Sequence, residues 1–456
     1  MATRIFNRAI LKDLDVWKAS TQRKPLVLRG ARQVGKTTVV KRFGQSFDSF
    51  VYLNLDLPGD QRLFDASLSP GATLQRIFLE KKAQRRGQTL LFIDEIQQSP
   101  AAVAMLRYFH EQFPDLFVIS AGSLLEIMMD THKISFPVGR VEYRYLFPLS
   151  FAEFLSALGE EDALGLLATV PVPEWSLNRL FELFHLYALI GGMPEVVSSY
   201  RETPDVSNLV QVFQSLLTAY TDDVSKYARN ATEVTVIRHV IETAAYEAGK
   251  RITFERFGNS AYKSREVGNA LRTLERAMLL YLRYPTTAVK PPLIPDLKRK
   301  PRLQMVDTGL LNFAAGLQAQ YFGVQDLNAL YKGILSEHIV AQELMAANSI
   351  SLKKPDFWVR ESKQAQAEVD FLLPWKTGLL PVEVKSGKTG TLRSLHSFID
   401  NSGCTHAVRL YAGKPAWQST KTPAGRPYRL LSLPYFLASH IQEYLDKESL
   451  EANNSL

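Results

Sequence analysis

Short apolar runs alternate with amphipathic segments over the first third of the chain. The apolar runs have the length of buried strands, and the segments between them repeat apolar residues with helical spacing. The predicted strands are residues 25–28, 50–56, 89–95 and 116–123, and the predicted helices are residues 5–19, 73–85 and 101–113. Strands that alternate with helices favour a parallel sheet covered by helices. The pattern therefore predicts an α/β fold with a three-layer core over residues 1–155.

Changes in this pattern divide the rest of the chain. Residues 156–230 have helical spacing and are predicted to form a helical lid or linker. In residues 231–302 three short helical patterns, the second starting at Ile252, precede a strand-like run, which predicts a winged helix-turn-helix. Residues 303–440 mix a helix with strands and predict a second α/β domain. Residues 441–456, rich in Glu, Asn and Ser, predict a flexible tail.

The loop between the first strand and the next helix reads GARQVGKT, which fits G-x-x-x-x-G-K-[ST]. Two glycines let the backbone N–H groups point at phosphate oxygens, and the following helix adds its positive dipole end. Lys36 would reach the β and γ phosphates, and Thr37 would offer a hydroxyl to Mg²⁺. The predicted ATP-contacting residues are Gly30, Ala31, Arg32, Gln33, Val34, Gly35, Lys36, Thr37 and Thr38.

Two carboxylates end the third predicted strand. In Thr89-Leu-Leu-Phe-Ile-Asp94-Glu95, the apolar run would place both acids at the sheet edge that meets bound nucleotide. We expect Asp94 to hold Mg²⁺ and Glu95 to orient and polarise the attacking water. The alternative is a helix N-terminal acid pair before Pro100, but that alternative leaves the glycine-rich loop unexplained.

Composition limits the class of protein. The chain has 456 residues, 46% of them hydrophobic, which suffices for several cores. Cys404 is the single cysteine, which excludes a disulfide framework and suits a reducing cytosol. The N-terminus lacks the apolar core of a signal peptide, and no run approaches the roughly 20 apolar residues of a membrane span. We therefore expect a cytoplasmic protein with no membrane partner.

Positive charge is concentrated in the middle of the chain. The net charge is +8, and residues 250–302 alone hold 13 Lys and Arg against 4 acids. Such local excess is typical of a nucleic-acid contact, although a solvated basic face or a winged helix used for domain packing are alternatives. The predicted DNA-binding residues are Lys263, Arg265, Arg272 and Arg276 near the recognition helix, and Lys298, Arg299, Lys300 and Arg302 on or beyond the wing.

The C-terminal region carries a second group of acids. Glu337 lies on a predicted helix over residues 333–343, Asp370 on a strand, and Glu383 and Lys385 on another strand over residues 381–387. The period of two residues puts Glu383 and Lys385 on one face of that strand. The order resembles the PD-(D/E)xK nuclease fold, with Glu368 where that pattern has proline. The three carboxylates could bind Mg²⁺ and Lys385 could activate water, or the domain could keep these acids for binding alone.

Several motifs together resemble one family. GARQVGKT, FIDEIQ, SAGS, LFPLSFAEF and GGMPEV are similar to motifs of prokaryotic AAA-type ATPases whose C-terminal part was catalogued as a domain of unknown function. The resemblance runs from near residue 1 to about residue 440. It implies an ATPase core, a helical lid that contains GGMPEV, a winged helix and a nuclease-like C-terminal domain, with ATP and Mg²⁺ as ligands.

In ATPases of this kind a polar residue at the tip of the fourth strand contacts the γ phosphate or the attacking water. Ser123 is the candidate, with Ser120 as its substitute, and the alternative is a helix N-cap for residue 124 onward. Arg140, in a run that starts at Ile134, is either a surface ion-pair partner or an arginine finger for a neighbouring subunit. The second case would imply a homo-oligomer.

These observations predict an ATP-hydrolysing protein that associates with DNA and whose ATP cycle acts on the C-terminal domain. Two other functions stay open. One is a nucleotide-dependent regulatory or assembly switch with an inactive nuclease-like domain, and the other is a transcription regulator.

Overall fold

The computed structural model describes residues 6–123, 137, 139–317, 334–360, 367–385 and 391–454. The parts of the predictions that fall on Ile5, residues 124–136 and 138, Gly333 and residues 386–387 lie outside these described residues, as do residues 455–456 of the tail.

A parallel five-stranded sheet forms the N-terminal core, in the order β2-β3-β4-β1-β5. The strands are β1 (Leu26–Arg29), β2 (Ser49–Asn54), β3 (Thr89–Asp94), β4 (Phe117–Ala121) and β5 (Glu142–Tyr145). Strands β1, β3 and β4 are buried along their whole length, as their continuous apolar runs predict. The predicted parallel α/β core is confirmed.

Helices cover both faces of this sheet. They are α1 (Ile10–Ala19), α2 (Lys36–Gly44), α3 (Pro58–Gln61), α4 (Pro70–Glu80) and α5 (Pro100–Gln112). Alternate strand residues separate into two cores, with Leu90 and Phe92 on the side of α1 and α2, and Leu91 and Ile93 on the side of α4 and α5. Helix α4 begins earlier than predicted because Ser69 caps its N-terminus.

A helical region follows the sheet, as the pattern of residues 156–230 predicts. It consists of α6 (Phe151–Leu158), α7 (Glu161–Leu167), α8 (Leu177–Ile190), α9 (Pro194–Glu202), α10 (Val210–Asp222) and α11 (Val224–Tyr227). Ser150 and Glu153 form a capping box at the start of α6. The GGMPEV motif ends α8 at Gly191, whose φ of 75° suits glycine, and starts α9 with Pro194 at its first position.

Two helices and a two-stranded ribbon form the basic middle region. These are α12 (Ala231–Glu247), α13 (Ser264–Arg276), β6 (Leu280–Arg283) and β8 (Arg302–Met305), with β6 and β8 antiparallel. The helix predicted from Ile252 is wrong, since the structure has only a 3₁₀ turn at Phe257–Asn259. Left-handed backbone at Arg256 and at Gly258 breaks the helical hydrogen bonding there.

The C-terminal region contains a seven-stranded mixed sheet in the order β13-β14-β12-β11-β10-β9-β7. The strands are β7 (Pro285–Thr286), β9 (Asp356–Val359), β10 (Glu368–Trp375), β11 (Gly378–Val384), β12 (His406–Tyr411), β13 (Ala416–Lys421) and β14 (Pro427–Pro434). The helices are α14 (Thr308–Ala314), α15 (Ile334–Ala346), α16 (Arg393–Ser402) and α17 (Ile441–Asn454). Strand β7 comes from the middle region, so the two regions share this sheet.

The segment predicted as a flexible tail is helix α17, and this expectation is corrected. Ile441, Tyr444 and Leu445 are buried, and the Tyr444 hydroxyl accepts a hydrogen bond from Val172 N at 2.8 Å. The three buried side chains have the i, i+3, i+4 spacing of one helical face, which the polar composition of the segment conceals.

Two buried carboxylates of the C-terminal region hold the helical region. Asp307 Oδ2 accepts from Gly192 N at 2.7 Å, and Glu343 Oε1 accepts from Phe151 N at 2.9 Å and from the Tyr187 hydroxyl at 2.8 Å. Burial raises the pKa of Asp307 to about 6 and that of Glu343 to about 7. The motifs GGMPEV and LFPLSFAEF are therefore fixed by side chains far along the chain.

Candidate active site and C-terminal charged cluster

The glycine-rich loop connects β1 to α2, and both of its glycines are required by the backbone. A Cβ on Gly30 would lie 2.3 Å from Leu146 O, which is closer than a carbon atom can approach. Gly35 has φ of 96°, in the left-handed region that glycine favours. The loop can therefore curl around the N-terminus of α2, where unpaired N–H groups attract anions.

Lys36 is buried at the first position of α2. Its Nζ donates to Gly30 O at 2.9 Å and to Ala31 O at 2.8 Å. Burial lowers the pKa of Lys36 to about 8, and the nearby carboxylates of Glu95 and Asp94 oppose this shift. Neutral carbonyls hold the ammonium group, so an arriving phosphate would be a stronger partner for it.

Thr37 and Asp94 meet at the carboxyl end of β3. Thr37 Oγ1 donates to Asp94 Oδ2 at 2.7 Å, and the Tyr52 hydroxyl donates to the same oxygen at 3.3 Å. Burial raises the pKa of Asp94, while the hydrogen bond from Thr37 opposes the rise. A hydroxyl and a carboxylate are hard oxygen donors of the kind that Mg²⁺ takes, so these two residues fit the predicted magnesium site.

Glu95 follows Asp94 in a left-handed conformation, with φ of 51° and ψ of 45°. This backbone is unfavourable for a residue with a side chain and is typical of functional positions. Gln97 Nε2 donates to Glu95 Oε2 at 2.5 Å, and Gln97 Oε1 lies beside Gly122, just past β4. Burial raises the pKa of Glu95. Gln97 thus fixes the carboxylate of Glu95, a role that the sequence analysis missed although FIDEIQ contains the residue.

A cavity of about 740 Å³ opens beside the loop. Its wall combines the loop and α2 with Glu95, with Glu195 and Ser198 of α9, and with Phe6 and Arg8 near the N-terminus. Of the nine predicted ATP-contacting residues, Arg32, Gln33, Gly35, Lys36, Thr37 and Thr38 line this cavity. The side chains of Ala31 and Val34 are buried in the core instead, so they could contact a ligand only through their backbone.

Arg8 holds this loop in place and also lines the cavity. The sequence did not predict this role. Its guanidinium group donates to Val34 O at 2.9 Å and to Phe147 O at 2.6 Å, and its Nε lies 3.1 Å from Glu153 Oε1. Its side chain is only 5% exposed. A lone arginine in an N-terminal segment carries no local signal for such a role, because its partner Phe147 lies 139 positions away and Glu153 lies farther still.

The helical region reaches the same loop from the other side. Arg32 forms an ion pair with the buried Asp223, and Lys226 Nζ lies 2.7 Å from the other oxygen of that carboxylate. The Tyr220 hydroxyl donates to Arg32 O at 3.1 Å. The end of α10 is therefore attached to a residue that also lines the cavity.

Ser123 lies two residues beyond β4 and is buried at the same sheet edge as Asp94, because β3 and β4 are parallel and in register. Its substitute Ser120 lies within β4 and donates to Leu26 O at 3.4 Å, which engages it in the sheet. Ser123 thus lies just beyond the carboxyl end of β4, whereas Ser120 lies within the strand beside Ile93.

Arg140 lies at the opposite edge of the sheet. It precedes β5, whose first residue, Glu142, donates its N–H to Pro25 O at the start of β1. Arg140 Nε donates to Glu111 Oε1 at 2.9 Å, and the arginine side chain is 45% exposed. Arg140 is therefore separated from the glycine-rich loop of its own chain by the length of β1.

The four residues of the predicted nuclease site do come together in the C-terminal region. Asp370 Oδ2 accepts from Val384 N at 2.9 Å, and Lys385 Nζ lies 2.6 Å from Glu383 Oε1. Burial, and next the charge of Asp370, raise the pKa of Glu383 to about 8. Arg302 of β8 forms ion pairs with Glu337 and Asp370 in the same place. A guanidinium group thus lies among the carboxylates.

These acids do not fit the predicted magnesium site. Arg302 also pairs with Glu368, and Arg283 of β6 donates to Asp370 O at 3.0 Å and to Glu337 Oε1 at 3.4 Å. Across the described ranges, no three His, Cys, Asp or Glu side chains form a group that could hold a metal ion. Nothing in the sequence indicated this role for either arginine. The expectation that Arg302 lies on or beyond the DNA-binding wing is corrected, because Arg302 pairs with these carboxylates.

The other predicted DNA-binding residues are at the surface. Lys263, Arg265, Arg272, Arg276, Lys298 and Lys300 are exposed, and Arg299 is half-buried with Nε 3.0 Å from Asp296 Oδ2. Arg265, Arg272 and Arg276 have the spacing of one face of α13, opposite the buried Val267 and Leu271.

Comparison with known proteins identifies three regions. Residues 22–155 match the family of AAA domains, residues 181–321 match the domain of unknown function DUF8612, and residues 332–423 match the domain of unknown function DUF4143. The N-terminal part is thus an AAA-type P-loop ATPase domain. No curated protein matches the chain. The described part of the chain has no helix long and apolar enough to cross a membrane.

Solved structures with similar folds include a Walker-type ATPase of Pyrococcus abyssi, which is 14% identical, with 69% of this chain and 97% of that chain covered and a TM-score of 0.45. The Orc1 protein of Aeropyrum pernix, solved in complex with DNA, is 14% identical, with 71% and 96% covered and a TM-score of 0.27. The RuvB Holliday junction branch migration motor of Thermotoga maritima is 16% identical, with 64% and 93% covered and a TM-score of 0.27.

Proposed function

We propose that this protein binds and hydrolyses ATP in the cavity beside the glycine-rich loop. The observation that carries the proposal is the contact of Thr37 with Asp94 at 2.7 Å, directly beside Lys36 and Glu95. An ammonium group, a hydroxyl and two carboxylates at one sheet edge are the side chains that phosphoryl transfer to water requires. Bound Mg²⁺ would supply positive charge against the β and γ phosphates.

Each residue has a distinct task in this proposal. Lys36 exchanges its carbonyl partners for phosphate oxygens, which stabilises its charged form. Thr37 and Asp94 would hold Mg²⁺, and the hydrogen bond from Gln97 keeps Glu95 aimed at the attacking water. Glu95 orients that water and accepts hydrogen bonding from it, and its raised pKa makes it a better base than an exposed carboxylate. Ser123 contacts the γ phosphate or the water.

The test is ATP turnover by the full chain in Mg²⁺, compared with nucleotide binding. Wild type should release phosphate, Glu95→Gln should bind ATP without hydrolysing it, and Lys36→Ala should lose turnover. Lys12→Ala, an exposed lysine on α1, is the matched control and should keep wild-type turnover. Turnover that survives in Lys36→Ala would contradict the proposal.

DNA is the proposed partner of the basic middle region, which we interpret as a winged helix. Two helices, a 3₁₀ turn and a ribbon support this interpretation, and the exposed arginines of α13 lie on the face away from its buried side. The alternative is a helix used only for domain packing. Duplex binding measured by fluorescence anisotropy decides between them, because the packing role predicts no loss of binding when Arg265, Arg272 and Arg276 are replaced by alanine.

An arginine finger that acts in a neighbouring copy is the role we propose for Arg140. Its exposure, and its place at the sheet edge away from its own loop, support action in trans. Mixing Arg140→Ala with Lys36→Ala should restore turnover, since each copy would then supply the group that its neighbour lacks. No restoration at any mixing ratio, with both variants assembled, would contradict this role.

A further inference from the structure

We propose that the guanidinium group of Arg302 is the resident cation of the C-terminal acidic cluster and keeps its carboxylates from binding a divalent metal ion. The cluster consists of Glu337 on α15, Glu368 and Asp370 on β10, and Glu383 at the end of β11. The inference concerns a different region from the ATP site and does not depend on it.

Three carboxylates of the cluster form ion pairs with Arg302. Arg302 pairs through one terminal nitrogen with Glu337 and through the other with Glu368 and Asp370. Three carboxylates from two elements thus converge on one planar group, whose fork of donors suits carboxylate oxygens. Its guanidinium carbon also lies 4.8 Å from the centre of the Phe357 ring. The side chain is 11% exposed, so these contacts exclude most of the solvent.

A second arginine closes the other side of the cluster. Arg283 is 2% exposed and donates to Pro355 O and to Asp370 O, each at 3.0 Å. Its guanidinium carbon lies 4.5 Å from the centre of the Phe371 ring. The two carboxylate oxygens of Asp370 are therefore engaged by Arg302 and by Val384 N, and its backbone carbonyl accepts from Arg283.

The positive side chains around the cluster balance its carboxylates. Four carboxylates face Arg302, Arg283 and Lys385, and Arg251 lies 3.7 Å from Glu368 on the outer side. With Glu383 counted as charged, four negative and four positive side chains leave no net charge to attract a divalent ion, and the raised pKa of Glu383 shifts this balance further toward positive charge. Glu383 Oε2 is buried without a hydrogen-bond partner in the described structure, but one oxygen is a single ligand, whereas Mg²⁺ requires octahedral coordination.

This arrangement makes the cluster a contact between the ribbon and the C-terminal sheet. Arg283 and Arg302 lie at paired positions of β6 and β8, so the cluster fixes both strands of the ribbon together. The exposed Lys298 and Lys300 precede Arg302 by only a few residues.

The test is Mn²⁺ binding, followed by electron paramagnetic resonance, in the full chain carrying Asp94→Asn, which removes the metal ligand of the ATP site. With Arg302 intact we expect no bound Mn²⁺ that depends on Asp370. Arg302→Ala in the same background should bind one Mn²⁺, and adding Asp370→Asn should abolish that binding. Arg62→Ala, which removes an exposed arginine of the N-terminal region, is the matched control and should bind none.

Three outcomes would overturn the proposal. They are Mn²⁺ binding that depends on Asp370 while Arg302 is present, a folded Arg302→Ala variant that binds no Mn²⁺, and Mg²⁺-dependent DNA cleavage by wild type that Asp370→Ala abolishes. If Arg302→Ala does not fold, the first and third outcomes still decide, because they need no change at Arg302. Arg302→Lys, which keeps the charge, should fold and bind no Mn²⁺.

Discussion

This protein has two buried groups of side chains, each of which combines cations with carboxylates. They differ in whether the central cation is free to bind a ligand. In the N-terminal group, the contacts of Lys36 in the described structure are backbone carbonyls, and its side chain faces a cavity of about 740 Å³. In the C-terminal group, three carboxylates already neutralise Arg302. The comparison teaches that residue types alone do not make an active site, since both groups contain a cation among acids. Whether such a group can bind a ligand depends on the partners that the cation already has.

The largest effect should come from Lys36→Ala. Removing one preorganised cation from a charge-stabilising site typically lowers kcat by about 10²–10³-fold, and we expect at least that loss in ATP turnover. The measurement is steady-state phosphate release with saturating ATP. A variant that keeps more than about a tenth of the wild-type rate would show that Lys36, like Arg302, serves contacts within the protein and not a ligand. The proposed difference between the two groups would then be wrong.

Glu95→Gln should have the next largest effect, with turnover lowered by about 10²-fold and ATP affinity within a few-fold of wild type. The amide keeps the size of the side chain but loses the base. Equilibrium binding of a fluorescent ATP analogue separates the two quantities. Asp15→Asn, which changes an exposed acid on α1, is the control. Equal losses in affinity and rate would assign Glu95 to binding instead.

Arg302→Ala should affect stability and leave ATP turnover unchanged at temperatures where the variant is folded. Breaking a buried ion pair by removing one partner costs about 3–5 kcal/mol, because the carboxylates stay behind without a counter-charge. Urea unfolding measures the loss. The exposed Arg265→Ala should change the free energy of unfolding by no more than about 0.5 kcal/mol. A loss for Arg302→Ala as small as this would mean that the C-terminal group is open, like the N-terminal one.

The pH dependence of stability tests a third set of buried acids. The pKa of Glu343 is raised by burial to about 7 from an ordinary 4.5, so the folded state binds the proton more tightly than the unfolded state does. Stability should therefore be greatest below about pH 4.5 with respect to this group and fall as the pH rises toward 7, by roughly 2–3 kcal/mol. Asp307, with its pKa raised to about 6, adds a fall of the same sign.

Glu343→Gln should flatten this pH dependence while keeping an oxygen that accepts from Phe151 N and the Tyr187 hydroxyl. Thermal unfolding between pH 5 and 7.5 is the measurement. Glu153, whose charge also raises the pKa of Glu343, stays in place in both proteins. An unchanged slope in the variant would assign the pH dependence to other groups.

The smallest effect should come from single surface arginines of α13. If Arg272 contacts a phosphate, Arg272→Ala should lower the slope of log affinity against log salt by about 0.9 for duplex DNA. Arg62→Ala, an exposed arginine of the N-terminal domain, should leave the slope unchanged. A slope unaffected by Arg272→Ala would favour the packing role for this helix.

The geometry of the proposed ATP site could be predicted because its residues are close together in the sequence. Strand, loop and helix follow one another, so Gly30, Lys36 and Thr37 are placed by a continuous segment, and the apolar run of β3 places Asp94. Arg8 could not be predicted, since its partner Phe147 is 139 residues away and nothing in its neighbourhood signals the contact.

The C-terminal cluster was predictable in part for the same reason. The strand period of two residues predicted that Glu383 and Lys385 share a face, and the structure brings their charged atoms to 2.6 Å. It gave no information on Arg302, because the pairing of Arg302 with Glu368 depends on how β8 packs against β10. The helix expected from Ile252 failed because a left-handed Arg256 has no sequence signal comparable to that of glycine.

The hydrogen bonds of Asp307 and Glu343 to Gly192 N and Phe151 N bear on how this chain could be divided or recombined. A fragment that ends before residue 303 would lack the acceptors of two buried amides and would expose the apolar surfaces around them. The N-terminal part therefore depends on the C-terminal part for these hydrogen bonds and cannot be exchanged without regard to them. A chimera that exchanges the C-terminal part should carry an acid at both positions, and a library of such chimeras would be enriched for those that do.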